Sequence, residues 1–500
     1  MAASTRQIIK QAQKLAAAGK IVEAINTYES ALQTSPNNPD ILFAIGNLAL
    51  KSGMLQIAEQ MFRLTCQLRP DSIEAATQLA IALKEQERVD EAIDIYQSIL
   101  EAHPEHTATW INIGVAANLA GDTESAEIAY RQALSLDPRC VAALTNLAEL
   151  LTRSDNFDQA LELLDQARAL APNDANIRYN RGEVLLTLGR LTEGWPELNY
   201  GERHRPDRQQ VFKHKLPRWR GEPLQGKSIL LSCEQGIGDQ VRFLNCVAPI
   251  IRQAQSVVIE TDPRLVPALS RTYPEAKVRA FNVVKQNNRH IFRYDWPVNQ
   301  LDYSSTMLNL FEQLCPDLGN LPEQRKLQID PSLDKKWLQR TAPQPGQLNV
   351  GLCWRSSIKS LRRQQQYAAI EEWEPVFRQP GLRFFSLMYD DCREEVARAK
   401  EKFGVEIILF DDLDYHDDIE QVLALTAQMD VVVATHSAAA SFAGALEIPT
   451  WMPVKNRLWD MLGTDTMAMV PSIHPVLQGA ADNWEEIMEY ISRQLAKPSH

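Results

Sequence analysis

Ser232-Cys-Glu-Gln-Gly-Ile-Gly-Asp-Gln-Val-Arg-Phe243 decides how the second half of this 500-residue chain folds. The apolar run Ser228–Leu231 before it reads as a short buried strand, and Val241–Ile251 after it carries apolar residues at helical spacing. The glycines therefore sit on a strand-to-helix turn at the carboxyl end of a strand, where ligands bind in open α/β sheets. Gly236 and Gly238 allow a tight turn and a close approach to substrate, and Glu234 and Gln235 offer polar groups beside them. Asp239 stands at the lip of the turn, either as a carboxylate base or as a helix cap.

Outward from this turn, strand-like and helix-like stretches alternate. Ser256–Thr261 reads as a strand and Asp262–Tyr273 as a helix; Pro322–Gly346 is polar and rich in proline, as a linker is. A second alternation runs through strands at Leu348–Trp354, Leu382–Met388, Ile407–Leu409, Asp430–Ala434 and Pro449–Met452. Helices are expected between them at Ile370–Phe377, Cys392–Phe403, Ile419–Gln428 and Ser437–Leu446, with Trp484–Leu495 closing the chain. Two such halves predict a pair of doubly wound, Rossmann-like domains with a cleft between them.

The first two hundred residues differ. Prolines recur at 36, 70, 104, 138 and 172, always 34 apart. Turn residues recur in the same register at Gly19, Gly53, Glu87, Gly121, Asp155 and Gly189, as do Ala24, Ala58, Ala92, Ala126 and Ala160. Tyr28, Phe62, Tyr96, Tyr130 and Leu164 follow those alanines by four. The small residues let antiparallel helices approach, the bulky ones fill the groove beside them, and each proline ends the second helix. This period resembles the tetratricopeptide (TPR) repeat, with five full units and a partial sixth that loses the pattern after Gly194-Trp195. The resemblance implies an all-α TPR superhelix whose concave face takes a peptide or protein. Asn47, Gln78, Asn112 and Asn146 are the candidate groove residues, because amides can bond an extended backbone without reading its sequence. An array that only dimerises or supports the second half is the alternative.

The domain boundaries follow: 1–200 TPR superhelix, 201–226 linker, 227–340 N-terminal Rossmann-like acceptor domain, 346–500 C-terminal nucleotide-sugar domain. No run approaches the ~18 apolar residues of a membrane span, and the N-terminus lacks a secretory core. Seven scattered cysteines without Cys-x-x-Cys imply reduced thiols and a cytoplasmic setting. The net charge of −12 argues against nucleic acid as partner. The acidic run Phe410–Asp418 lacks the glycine and spacing of a calcium loop, so no metal and no cofactor are expected.

Three pieces of the second half resemble the bacterial ADP-heptose–lipopolysaccharide heptosyltransferases, two-domain glycosyltransferases of the GT-B type. They are Glu234–Asp239, the strand and loop Val350-Gly-Leu-Cys-Trp-Arg355, and the block Val431–Trp451 with its Ala-Gly-Ala-Leu-Glu-Ile-Pro. A TPR array joined to a transferase also resembles the protein O-GlcNAc transferases, in arrangement only. The resemblance implies an inverting, metal-independent transferase, with Asp239 as catalytic base and Glu234, Gln235, Gly236 and Gly238 around the acceptor. It places the nucleotide-sugar donor on Trp354, Arg355, Lys359, Thr435, His436, Ser437 and Ser441. Arg355 and Lys359, with Arg362 and Arg363, also fit the need of a leaving diphosphate for fixed cations. The sequence departs from the family pattern where His436 replaces an Asp, Ser441 a His and Glu447 a Gly. These departures support the alternative, a non-catalytic TPR adaptor with a degenerate transferase domain.

Overall fold

The computed structural model describes residues 5–205, 209–233, 236–286, 289–342, 344–356, 366–478 and 483–496. The chain divides into two compact units, Met1–Leu150 and Leu151–His500, with the boundary inside helix Val141–Arg153.

The first unit is a run of helical hairpins: Thr5–Ala17 with Ile21–Thr34, Pro39–Lys51 with Leu55–Leu68, Ile73–Glu85 with Val89–Ala102, and Thr107–Ala120 with Thr123–Leu136. Its 34-residue period has a backbone cause. Gly19, Gly53, Glu87 and Gly121 all take positive φ at the turn inside each hairpin, and Asp155 and Gly189 do so in the second unit. Glu87 and Asp155 adopt that conformation without glycine's freedom. Ala24, Ala58, Ala92 and Ala126 are fully buried where the helices cross, and Tyr28, Phe62, Tyr96 and Tyr130 are buried four residues on.

The second unit opens with helices Phe157–Leu170, Ala175–Thr187 and Leu191–His204, which keep the repeat register but belong to the α/β body. The last two cross in backbone contact. A Cβ on Gly182 would lie 2.4 Å from the Leu198 amide nitrogen, and one on Gly201 2.6 Å from the Tyr179 backbone. Trp195, on the same hairpin, is buried, stacks on Phe311 at 5.3 Å and donates to the Cys315 carbonyl at 3.0 Å. This explains why the repeat pattern fades after Gly194. There the side chains answer to a different core.

The stretch expected as linker, 201–226, contributes a strand, β1 (Gln209–Phe212), which pairs with β6 (Arg289–Arg293); β5 (Asn282–Gln286) runs antiparallel to β6. The four-stranded sheet has the order β4-β3-β2-β7, with β2 (Ser228–Ser232), β3 (Ser256–Thr261), β4 (Lys277–Ala280) and β7 (Tyr303–Thr306), all parallel. The six-stranded sheet has the order β10-β9-β8-β11-β12-β13, also all parallel. Its strands are β8 (Leu348–Cys353), β9 (Leu382–Ser386), β10 (Ile407–Ile408), β11 (Val431–Ala434), β12 (Thr450–Val454) and β13 (Ile473–Leu477). Strand order reverses between β2 and β7 in one sheet and between β8 and β11 in the other. At such reversals the loops diverge to opposite faces and leave a crevice at the carboxyl ends.

Several expectations change in detail, and the helices read at Asp262–Tyr273 and Ile370–Phe377 each begin as a 3-10 turn, Pro263–Leu265 and Ile370–Trp373. The helix read at Val241–Ile251 is three short pieces, Ile237–Arg242, the 3-10 turn Leu244–Cys246 and Val247–Gln253. The stretch read as a proline-rich linker at 322–346 contains helix Pro331–Arg340, capped by Asp330 and anchored by the fully buried Trp337.

Candidate functional site

The Gly-Asp turn and the His-Ser turn meet. Helix Ile237–Arg242, which follows β2, packs on helix Ala438–Ala445, which follows β11. The contact depends on glycine: a Cβ at position 238 would stand 2.9 Å from the Ala438 Cα and 3.3 Å from the Ser441 Oγ. Gln240 fixes the first helix to the end of β3, its Oε1 accepting from the Thr261 hydroxyl at 2.7 Å and the Asp262 amide at 3.0 Å.

At this junction Arg242 is the hub. Its side chain is 6% exposed, and it pairs with Asp239 one turn earlier, with Asp460 (Nη1 to Oδ2, 2.6 Å) and with His436 Nε2. Asp460, on the 3-10 turn Trp459–Met461, is 1% exposed and lies 3.5 Å from His436 Nε2. Burial raises the Asp460 carboxyl, but the Arg242 charge and the His436 hydrogen bond outweigh it and hold the group below its ordinary value. Burial acts against the Arg242 charge, and Asp460 and Asp239 together raise its pKa. Asp239 and His436 keep more than a third of their side chains exposed. A buried ion pair thus carries two reachable groups, one from each sheet's turn. Because Arg242 donates to His436 Nε2, a neutral imidazole there carries its proton on Nδ1.

The other predicted donor residues cluster at the β8/β11 reversal. Thr435 is buried, with its amide donating to the Cys353 carbonyl at 2.9 Å. The Ser437 hydroxyl donates to the Cys353 thiol at 3.5 Å, and burial pushes that thiol's pKa up to about 12. Ser441 is buried and donates to the Ser437 carbonyl at 3.3 Å. Trp354 is buried and donates to Glu395 at 3.3 Å. Arg355 is not free to meet a diphosphate without exchange of partners. It grips Glu395 through Nε (2.5 Å) and Nη2 (2.7 Å) and Asp390 through Nη1 (2.5 Å). Glu234, Gln235 and Lys359 lie outside the described residues; Gly236 precedes helix Ile237–Arg242 as its cap residue.

Arg242 and Asp460 are the site residues that the sequence reading passed over. Arg242 carried a signal, three residues after Asp239 on one helix face. Asp460 carried none, since its partner is 218 residues away.

In the repeats, Asn47, Gln78, Asn112 and Asn146 are half-buried on the first helices of successive hairpins. None has a side-chain hydrogen-bond partner among the described residues. Gln78, Asn112 and Asn146 are 34 apart; Asn47 lies one turn beyond their register, and Asn180, unremarked from the sequence, continues the row. Among the described residues no helix is long and apolar enough to cross a membrane.

Tetratricopeptide-repeat models match residues 12–53, 77–140 and 117–181. Across 494 residues the chain is 31% identical to protein FlbA of Caulobacter vibrioides, covering 95% of this chain and 82% of that one. The chain belongs to the FlbA family. Beyond FlbA, it is 29% identical over 170 residues to the protein O-mannosyl-transferase Tmtc3 of Drosophila melanogaster. It is 24% identical over 171 residues to a probable UDP-N-acetylglucosamine–peptide N-acetylglucosaminyltransferase, SPINDLY, of Hordeum vulgare. Each of these two matches covers 33% of this FlbA-family chain and 18% of the relative, so the chain spans less than a fifth of their length. The solved structure of MamA from Desulfovibrio magneticus RS-1 matches 34% of this chain and 98% of its own, at 20% identity and a TM-score of 0.31.

Proposed function

We propose that the α/β body is a metal-independent, inverting glycosyltransferase of the GT-B type, serving a protein or glycan acceptor that the TPR groove recruits. The observation that carries this reading is Arg242 joining Asp239 of one sheet's turn to His436 and Asp460 of the other's. Relatives named as an O-mannosyl-transferase and a probable peptide N-acetylglucosaminyltransferase also support it.

In this reading the acceptor lies near the β2 turn, and Asp239 takes the proton from its hydroxyl as the sugar transfers. Arg242 orients that carboxylate. Asp460 shares the guanidinium and fixes it from the other side. The donor lies at the β8/β11 reversal, where the first amides of helix Ala438–Ala445 lack intrahelical acceptors. His436, with its proton on Nδ1, offers a donor toward the leaving diphosphate.

The test is transfer from a panel of nucleotide-sugars by Asp239→Asn, which keeps volume and deletes the base. Loss of about 10²- to 10⁴-fold is expected; near-normal turnover leaves Asp239 a structural residue.

A second reading, a non-catalytic adaptor, has its own observations: Arg355 is already neutralised, and Gly238 lies against the first turn of the donor helix. A nucleoside diphosphate at a hundredfold excess over its dissociation constant stabilises its binder by about 2.7 kcal/mol. Raised melting with uridine, guanosine, adenosine or cytidine diphosphate supports the transferase, and no shift with any of them favours the adaptor.

A further inference from the structure

The crevice at the other strand-order reversal, between β2 and β7, is also a formed cavity. It holds about 390 Å³ and is bordered by Ser232 at the end of β2 and by Ser304 and Thr306 on β7. Its far wall comes from the part of the α/β body that precedes β2 in the chain: Arg203 from helix Leu191–His204, Gln210 from β1, and His214. That volume falls in the range of small-molecule sites, and its place is where open parallel sheets bind ligands.

The lining sets cationic and hydroxyl-bearing side chains beside apolar Val211, Phe212 and Leu216, and no Asp or Glu lines it among the described residues. Arg218, which also lines it, is paired with Glu312 at 3.0 Å. Arg203 is different: half-buried, it has no carboxylate or other partner among the described residues. The buried Gln210 Oε1 also has no donor among the described residues, and such an atom costs stability unless something supplies one. The His214 Nδ1 accepts from the Leu216 amide at 3.2 Å, so a neutral ring carries its proton on Nε2, as a donor. A cation and a carbonyl oxygen that lack partners among the described residues, together with several hydroxyls, call for an anion that also bears hydroxyl groups.

We infer that this cavity binds a sugar acid or sugar phosphate, with Arg203 on the carboxylate or phosphate and Gln210 on a hydroxyl. In naming that ligand as the acceptor's anionic sugar, the inference rests on the transferase reading; in naming its chemistry, it rests on the cavity.

Titration calorimetry on the full chain without nucleotide tests it, using D-glucuronate, D-glucose 6-phosphate and D-glucose. At least one anion binds and glucose does not, and which anion binds assigns the group as carboxylate or phosphate. Arg203→Gln weakens binding about tenfold or more, the scale of a charge-assisted hydrogen bond, with its melting temperature checked against wild type. If that variant fails to fold, Gln210→Leu serves, with the same loss expected. Equal binding of glucose, affinity unchanged in a folded variant, or no binding of either anion at about 10 mM overturns the site. If anion binding follows Arg203 while no nucleotide diphosphate raises the melting temperature, the cavity stands and the transferase reading falls. If nucleotides bind and anions do not, the transferase reading stands and this inference falls.

Discussion

Asp460→Leu should destabilise the α/β unit far more than its place on a short 3-10 turn suggests. The carboxylate is 1% exposed and holds the Arg242 guanidinium, itself 6% exposed, at 2.6 Å. Removing it leaves a buried cation with Asp239, 38% exposed, as its remaining carboxylate partner among the described residues. Breaking a buried pair from one side costs about 3–5 kcal/mol, and the retained Asp239 contact sets the expectation at about 3 kcal/mol. Arg242→Met strands the Asp460 carboxylate in the same way. The double variant Arg242→Met/Asp460→Leu buries no charge, and exposed Asp239 returns to water cheaply. It should therefore be more stable than the sum of the singles implies, with a coupling of about 2 kcal/mol or more. Urea unfolding reads this directly: with a slope of about 3 kcal/mol per M, each single variant loses about 1 M in midpoint. The pair also has a pH signature. The folded Asp460 carboxyl lies below its ordinary 3.8, so its stabilisation is present above that value and is lost as pH falls toward the folded one. Singles within about 0.5 kcal/mol of wild type, or a double variant that equals their sum, would refute the hub role of Arg242.

Glu260, buried and hydrogen-bonded by Trp296 at 3.1 Å, has its pKa raised by burial to about 7 despite Trp296 and Arg279, so the folded state binds its proton more tightly than the unfolded state. Wild-type stability should fall as pH rises from about 5 to about 8, and Glu260→Gln should remove that slope and gain about 3 kcal/mol at the alkaline end; equal urea midpoints across that range would count against it. Gly182→Ala and Gly201→Ala each place a Cβ against helix backbone that cannot rotate away. Each should cost about 1–3 kcal/mol and loosen Trp195, read as a red-shifted tryptophan emission; unchanged midpoint and emission would mean that the hairpin has slack.

The repeats were legible because each contact in them is local and repeated. A 34-residue period in Gly, Ala, aromatic and Pro positions dictates a hairpin by backbone and packing rules that hold wherever the unit sits. Six turn residues at that period all take positive φ, Glu87 and Asp155 included. Most strands of the α/β body were legible for a related reason: Val257–Ile259 within β3 and Val431–Ala434 are apolar runs buried on both faces, as parallel strands require. Sequence also put Gly238, Asp239 and His436 at the ends of strands. It could not join them. Strand order, with reversals at β2/β7 and β8/β11, depends on which edge each crossover takes, and no local pattern encodes that. The same holds for charge. Asp460 reads as an ordinary acid and Arg355 as a free cation until long-range packing buries the first against Arg242 and closes the second on Glu395 and Asp390. The sequence by itself determined the elements and the turns that carry the polar groups. Tertiary structure decided which of those groups meet, because an ion pair between residues 218 positions apart is made by the packing of two sheets and leaves no trace in the spacing of residues along the chain.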